Sequence, residues 1–233
     1  LCDYLYASHT GLKKTFSEYD LGVSPDEAFQ IWRDVYKTFA HEIKSERWYE
    51  RYLESGEPTR TEHMRRMLEA LNKQDEQLAK NLSETYANHR NDLLKLFPET
   101  NALLSYLHGK YVLGMITNGP ADIQREEVET LGIGHYFDHI LIEGEVKIGK
   151  PHNEIFDEGI RRTGFTPEQH LFVGNAFEHD VQGAKSAGWY ALWVNKENEQ
   201  NPGTEPQPDG TIIHLFEVCD WLGIERPIEH AVT

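Results

Sequence analysis

The sequence has no uninterrupted apolar run near the roughly 18 residues that argue for a membrane-spanning helix, and no signal peptide is recognisable in it. Cysteine is nearly absent. Cys2 and Cys219 are the only two in 233 residues, too few for a disulfide framework and without metal-ligand spacing, so a reduced cytoplasm is the expected setting. Positive charge is also scarce: 23 Lys and Arg stand against 39 Asp and Glu, a formal net charge of −16. Phosphate backbones and anionic membranes select basic surfaces, so neither nucleic acid nor membrane is an expected partner. There are no internal repeats. What remains is a globular composition, 39% hydrophobic and 11% aromatic, in a chain long enough for one large domain or for a core with an inserted second unit.

Residues 10–97 lack any convincing strand and read as helices joined by short polar connections. Ser24-Pro25-Asp26-Glu27 combines a capping box with proline at the first helical position. Ala28, Ile31, Val35, Phe39 and Ile43 then mark one apolar face. Thr59 with Glu62 is a second start signal, followed by Met64, Met67, Leu68 and Leu71. Leu78, Leu82 and Tyr86 continue a third helix, and three or four such stripes pack as a small bundle.

After Pro98 the pattern alternates between helices and strands, which predicts an α/β fold with a parallel sheet and helices on both faces. Helices are expected at 100–108, 120–131, 153–163 and 178–187. Strands are expected at 111–116, 140–142, 171–173, 190–194 and 212–213, with a last helix beyond. Three polar clusters fall at carboxyl ends of strands or just before helices, the edge where open parallel sheets bind ligands. They are Thr117-Asn118-Gly119, Gly149-Lys150-Pro151, and Gly174-Asn175 with Asp180. Each alone reads as turn, cap or surface residues.

In order and spacing, "GMITNGP", "KIGKPHNEIF" and "LFVGNAFEHDVQGAKSAGW" resemble the second, third and fourth motifs of the haloacid dehalogenase superfamily, a group of phosphatases and related hydrolases. The resemblance covers residues 1 to about 220. It implies a Rossmann-like core, 1–9 and 98–233, with an inserted helical cap, 10–97. It also implies a Mg²⁺-dependent phosphatase that acts on a small phosphorylated metabolite through an aspartyl intermediate, in a monomer or homodimer. On this resemblance Thr117 and Lys150 are catalytic and bind phosphate together with Asn118, while Asn175 and Asp180 bind the metal. Trp48, Tyr49, Arg51 and Tyr52 of the cap read as packing residues or as a substrate lining.

Two departures keep alternatives open. Asn175 stands where the phosphatases usually carry a metal-binding aspartate, and the superfamily's metal-independent 2-haloacid dehalogenases also lack that aspartate. The first motif, which carries the aspartate nucleophile, is absent; "LCDYLYASHTGL" is similar to the segment just after it. The nucleophile is therefore expected upstream of Leu1, and a dehalogenase or an inactive binding protein stands as the alternative. If the strand of the first motif is missing, the strands ending at Thr117 and Gly174 lie parallel across an open slot of about 9.6 Å, two strand spacings.

Overall fold

The computed structural model describes residues 1–227, excepting the side chains of Glu46 and Arg47; residues 228–233 of the expected 98–233 segment lie outside the described residues. The chain divides into two compact units, Leu1–Phe97 with Gly119–Gly132, and Pro98–Asn118 with Ile133 onward.

The first unit is helical: α1 (Tyr4–Ser17), α2 (Pro25–Ile43), α3 (Glu46–Glu54), α4 (Glu57–Ala70), α5 (Glu76–Leu93) and, from the later segment, α7 (Ala121–Leu131). α1 runs unbroken across residues 9 and 10. As the spacing at Ser24 predicts, its side chain accepts from the Glu27 N–H with Pro25 in the first turn. α1 and α5 pack tightly because Gly11 has no side chain; a Cβ there would lie 3.1 Å from the Arg90 nitrogen. Leu12, Phe16, Phe29, Met64, Met67 and Leu82 are central to one buried apolar cluster. The α2 stripe is partly corrected: Ala28 and Phe39 are buried, as is Phe29, while Ile31, Val35 and Ile43 are only half-buried. Thr59 does not start its helix. α4 begins two residues earlier with Pro58 in its first turn, and the Thr59 hydroxyl donates to the Gly56 carbonyl at 3.1 Å. The start is fixed from outside the helix, because Asp122 accepts from the Ser55 hydroxyl at 2.7 Å and from the Gly56 N–H at 3.0 Å.

The second unit is α/β. Its elements are α6 (Thr100–Leu107), β1 (Gly114–Thr117), β2 (His139–Ile142), α8 (Glu143–Val146), α9 (Asn153–Thr163), β3 (Leu171–Gly174), α10 (Gly183–Ser186), β4 (Tyr190–Val194), β5 (Gly210–Ile212) and α11 (Glu217–Leu222). All pairings are parallel: β1 with β2, and β3 with β4 with β5. β1 and β3 share no ladder among the described residues, so the pairing that would have ruled out an intervening strand is not formed. One apolar cluster nevertheless joins both sheets, with Leu141 of β2, Ile116 of β1, and Ala191 and Trp193 of β4 around Ile155 and Phe156 of α9. The alternate residues of β4, Leu192 and Val194, pack with Val218 and Leu222 of α11. Helices thus cover both faces of this sheet, as the alternation of side chains along a strand requires.

Three segments differ from expectation by more than one residue at a boundary or in kind. The strand expected at 111–116 starts at Gly114. Asp138 ends the ladder there, its carboxylate accepting from the Leu113 N–H at 2.9 Å and its own N–H donating to the Leu113 carbonyl at 2.9 Å. The strand expected at 212–213 is Gly210–Ile212, where the Asp209 carboxylate holds the Ala191 N–H at 2.8 Å and sets the register. The helix expected at 178–187 is a π-helix, Phe177–Gln182, followed by the short α10.

Candidate active site

Within the α/β unit, the three polar segments meet through Lys150. Its ammonium donates to the Asp180 carboxylate at 2.7 Å and to the Ile116 carbonyl at 2.9 Å. These partners sit at the carboxyl ends of β1 and β3, so one cation links the two sheets at that edge. The ion pair is withdrawn from solvent, with side-chain exposures of 11% and 7%. Charge-assisted bonds of this length are strong, and the desolvation they offset is large.

Local sequence explains how these groups reach each other. Gly174 ends β3 without a Cβ, which would lie 2.4 Å from an Asp180 carboxylate oxygen; the carboxylate therefore folds back over the strand end. The π-helix supplies the wider turn that this needs, a distortion often found at functional sites. The Asp180 carboxylate then accepts from the Ala176 N–H at 2.9 Å, and the Asp180 N–H donates to the Ala176 carbonyl at 2.7 Å. Gly149 has the same role before Lys150: a Cβ there would lie 2.6 Å from the Glu143 carboxyl carbon. Gly119, at φ +131°, allows the chain to leave β1 sharply.

Thr117 is half-buried at the end of β1, between two residues that contact Lys150. On its other side Asn118 accepts from the Lys150 N–H and donates to the Lys150 carbonyl, both at 2.7 Å. Thr117, Asn118, Lys150 and Asp180 are thus one constellation. Asn175 is at its margin: the residue is exposed, and its carbonyl accepts from the Trp193 indole at 3.0 Å. Trp193 is a site-supporting residue that the sequence reading missed. It appears there only as part of the apolar run of β4, and nothing in that run signals a target for its indole N–H.

Asn175 and Asp180 are both hard oxygen donors, which suits an ion that keeps several waters and takes few protein ligands. The described residues contain no group of three or more His, Cys, Asp or Glu side chains arranged for a metal. Asn175 and Asp180 offer at most two oxygen-bearing side chains, and both Asp180 oxygens already accept, from Lys150 and from the Ala176 N–H.

Comparison with known proteins points the same way as the three segments. The chain is 38% identical over 134 residues to a glyceraldehyde 3-phosphate phosphatase of Methanothermobacter thermautotrophicus, covering 57% of this chain and 59% of that one. It is 36% identical over 142 residues to a phosphoserine phosphatase of Thermus thermophilus, 60% of this chain and 56% of that protein. The chain thus spans less than two thirds of the length of these two relatives. Among solved structures, the putative hydrolase YfnB of Bacillus subtilis, bound to magnesium, aligns with a TM-score of 0.74 at 20% identity, over 96% of this chain and 94% of its own. A 2-haloacid dehalogenase of Pseudomonas syringae pv. Tomato DC3000 aligns with a TM-score of 0.66 at 25% identity, over 96% and 94%. Residues 13–194, which include all three segments, match the haloacid dehalogenase-like hydrolases, and the chain belongs to that family.

Proposed function

We propose that this protein hydrolyses the phosphomonoester of a small phosphorylated metabolite at the edge where Lys150 joins the ends of β1 and β3. The observation that carries the reading is the Lys150 ammonium, held by Asp180 and by the carbonyl of Ile116, the residue before Thr117. A fixed cation and a hydroxyl donor, partly withdrawn from water, suit the charge of a phosphoryl group in transfer. Thr117 donates to one phosphoryl oxygen, and the Asn118 backbone N–H is the neighbouring donor. Lys150 neutralises charge that builds on the phosphoryl group. On the family resemblance, Asn175 and Asp180 would hold Mg²⁺, which would supply electrostatic stabilisation of phosphoryl charge. The family resemblance implies an aspartate nucleophile, and no role is assigned to it among these residues. On the same reading 10–97 is the helical cap domain, and 1–9 with 98–233 is the core domain. Both cysteines are free, in keeping with a cytoplasmic setting, and no helix among the described residues is long and apolar enough to cross a membrane.

The phosphatase names of the two sequence relatives support this reading. A 2-haloacid dehalogenase is the second reading, favoured by one residue, the amide Asn175 at the end of β3. The test is a panel of phosphorylated metabolites and 2-haloacids given to the native protein, with Mg²⁺ and with chelator. Phosphate release that chelator suppresses is expected. Halide release that is indifferent to metal, with no phosphate release, replaces the first reading by the second.

A further inference from the structure

We propose that the Asn118 side chain acts as a positioning residue for Lys150, setting the main chain from which the ammonium is presented, and is not itself a substrate ligand. Its kinetic readout rests on the phosphatase reading above. Asn118 directly follows β1, and Lys150 lies 32 residues further on. The two are joined by a matched pair of hydrogen bonds, Lys150 N–H to Asn118 Oδ1 and Asn118 Nδ2 to the Lys150 carbonyl, each 2.7 Å. That is how a neighbouring strand satisfies a residue, by taking its N–H and its carbonyl together. A side-chain amide carries one donor group and one acceptor at the right separation; a carboxylate lacks the donor, and a hydroxyl cannot span both groups.

Lys150 is consequently gripped at both ends. Its backbone is held by Asn118, and its ammonium by Asp180 and the Ile116 carbonyl. A flexible four-carbon stem fixed at both ends is a preorganised charge, and preorganisation is what makes a cation effective during catalysis. Gly149 completes the device. Its Cα approaches Glu143 so closely that a Cβ would fall 2.6 Å from the carboxyl carbon, so a side chain there requires the Glu143 carboxylate to move.

A double-mutant cycle tests the proposal, using Asn118→Ala, Lys150→Ala and the double variant, with a phosphomonoester that the native protein turns over. Asn118→Ala is expected to lower kcat/KM by about 100-fold, the effect of a misplacement near 1 Å, and to cost almost nothing further when Lys150 is already alanine. A side chain that binds substrate directly gives losses that multiply, which overturns the proposal. Backbone hydrogen exchange at Lys150 needs no turnover and is read alongside. Its amide is expected to exchange at least tenfold faster in Asn118→Ala, whereas Asn118→Asp, which keeps the acceptor, retains protection. The aspartate variant also serves should the alanine protein not fold, since protection at Lys150 combined with reduced kcat/KM is then expected. If no phosphomonoester is turned over by the native protein, the phosphatase reading falls while the exchange result still decides the positioning role. Unchanged exchange at Lys150 in Asn118→Ala, or lost protection in a folded Asn118→Asp, overturns it.

Discussion

Both units bury ionisable side chains, but they treat them in opposite ways. In the α/β unit Lys150 and Asp180 form an ion pair at 2.7 Å, with further bonds to the Ile116 carbonyl and the Ala176 N–H. In the helical unit, burial drives His63 and Glu127 toward their neutral forms. His63 is 5% exposed and its pKa falls to about 4 through burial. Glu127 is 9% exposed, and burial raises its pKa against the opposing influence of Arg90. Its nearest cation atom, Arg90 Nη2, is 3.8 Å away, too far for a hydrogen bond. Desolvation is costly in both units. At the strand ends the buried pair is given a set of hydrogen-bond partners, as is Glu99 of the same unit, which Lys196 holds at 2.8 Å; His63 and Glu127 are not.

The largest effect should come from breaking the preserved pair. Lys150→Ala removes the cation and leaves the Asp180 carboxylate buried and unpaired. Turnover is expected to fall by about 10²–10³-fold, and stability to drop by roughly 3–5 kcal/mol. Kinetics and chemical denaturation of the same variant check both figures. A loss of activity with unchanged stability would show that Asp180 finds another partner, and would remove the contrast between the units.

The second effect concerns His63, which stacks on Trp32 at a ring separation of 4.3 Å and donates from Nε2 to the Trp32 carbonyl at 2.9 Å. Its folded pKa of about 4 lies below the ordinary value of 6.5. Between those limits the unfolded chain binds more protons, so stability is complete above about pH 6.5 and is lost as pH falls toward 4. The full loss is about 3 kcal/mol. In His63→Phe, denaturation midpoints followed from pH 7 to pH 4 should lose this part of their slope. An unaltered slope would mean that acid sensitivity arises elsewhere.

The contrast between units also explains what was legible in the sequence. Thr117, Asn118, Lys150 and Asp180 could be brought together because strand ends, glycines and polar breaks are local signals, and parallel sheets gather them at one edge. The helix at 153–163 and the strand at 190–194 were readable for the same local reasons, caps and apolar runs. Thr59 misled because its helix start is set by Asp122, a residue more than sixty positions away. The π-helix was hidden because it depends on the Asp180 carboxylate turning back over Gly174, a tertiary approach with no periodic signature. Trp193 and the buried His63 and Glu127 likewise owe their states to neighbours on other elements.

A smaller effect is expected from adding charge where the site has least. Asn175 is exposed and neutral, and Lys150 already balances Asp180. Asn175→Asp supplies one negative charge to the proposed hard-cation site. Calorimetric titration of the native protein with Mg²⁺ should show several-fold tighter binding in the variant, with a matching fall in the Mg²⁺ needed for half-maximal turnover. An unchanged or weaker affinity would show that residue 175 does not ligate the ion.

The smallest effect is expected at Glu127, and its sign is opposite to that of the preserved pair. Gln124 donates to one carboxylate oxygen at 3.0 Å, while the other, Oε1, is buried without a hydrogen-bond partner. A carboxylate kept in that state opposes folding. Because the folded pKa is raised above the ordinary 4.5, the folded chain binds more protons across the interval between the two values. Stability is therefore fullest below about pH 4.5 and declines as pH rises through the folded pKa. Glu127→Gln keeps the shape, removes the charge and abolishes that decline. At pH 7 the variant should be as stable as the native protein or more so by roughly 1 kcal/mol, measured by denaturant unfolding at pH 5 and pH 7. A clear destabilisation at pH 7 would mean that the long contact with Arg90 is a working ion pair after all, and that the helical unit also preserves buried charge.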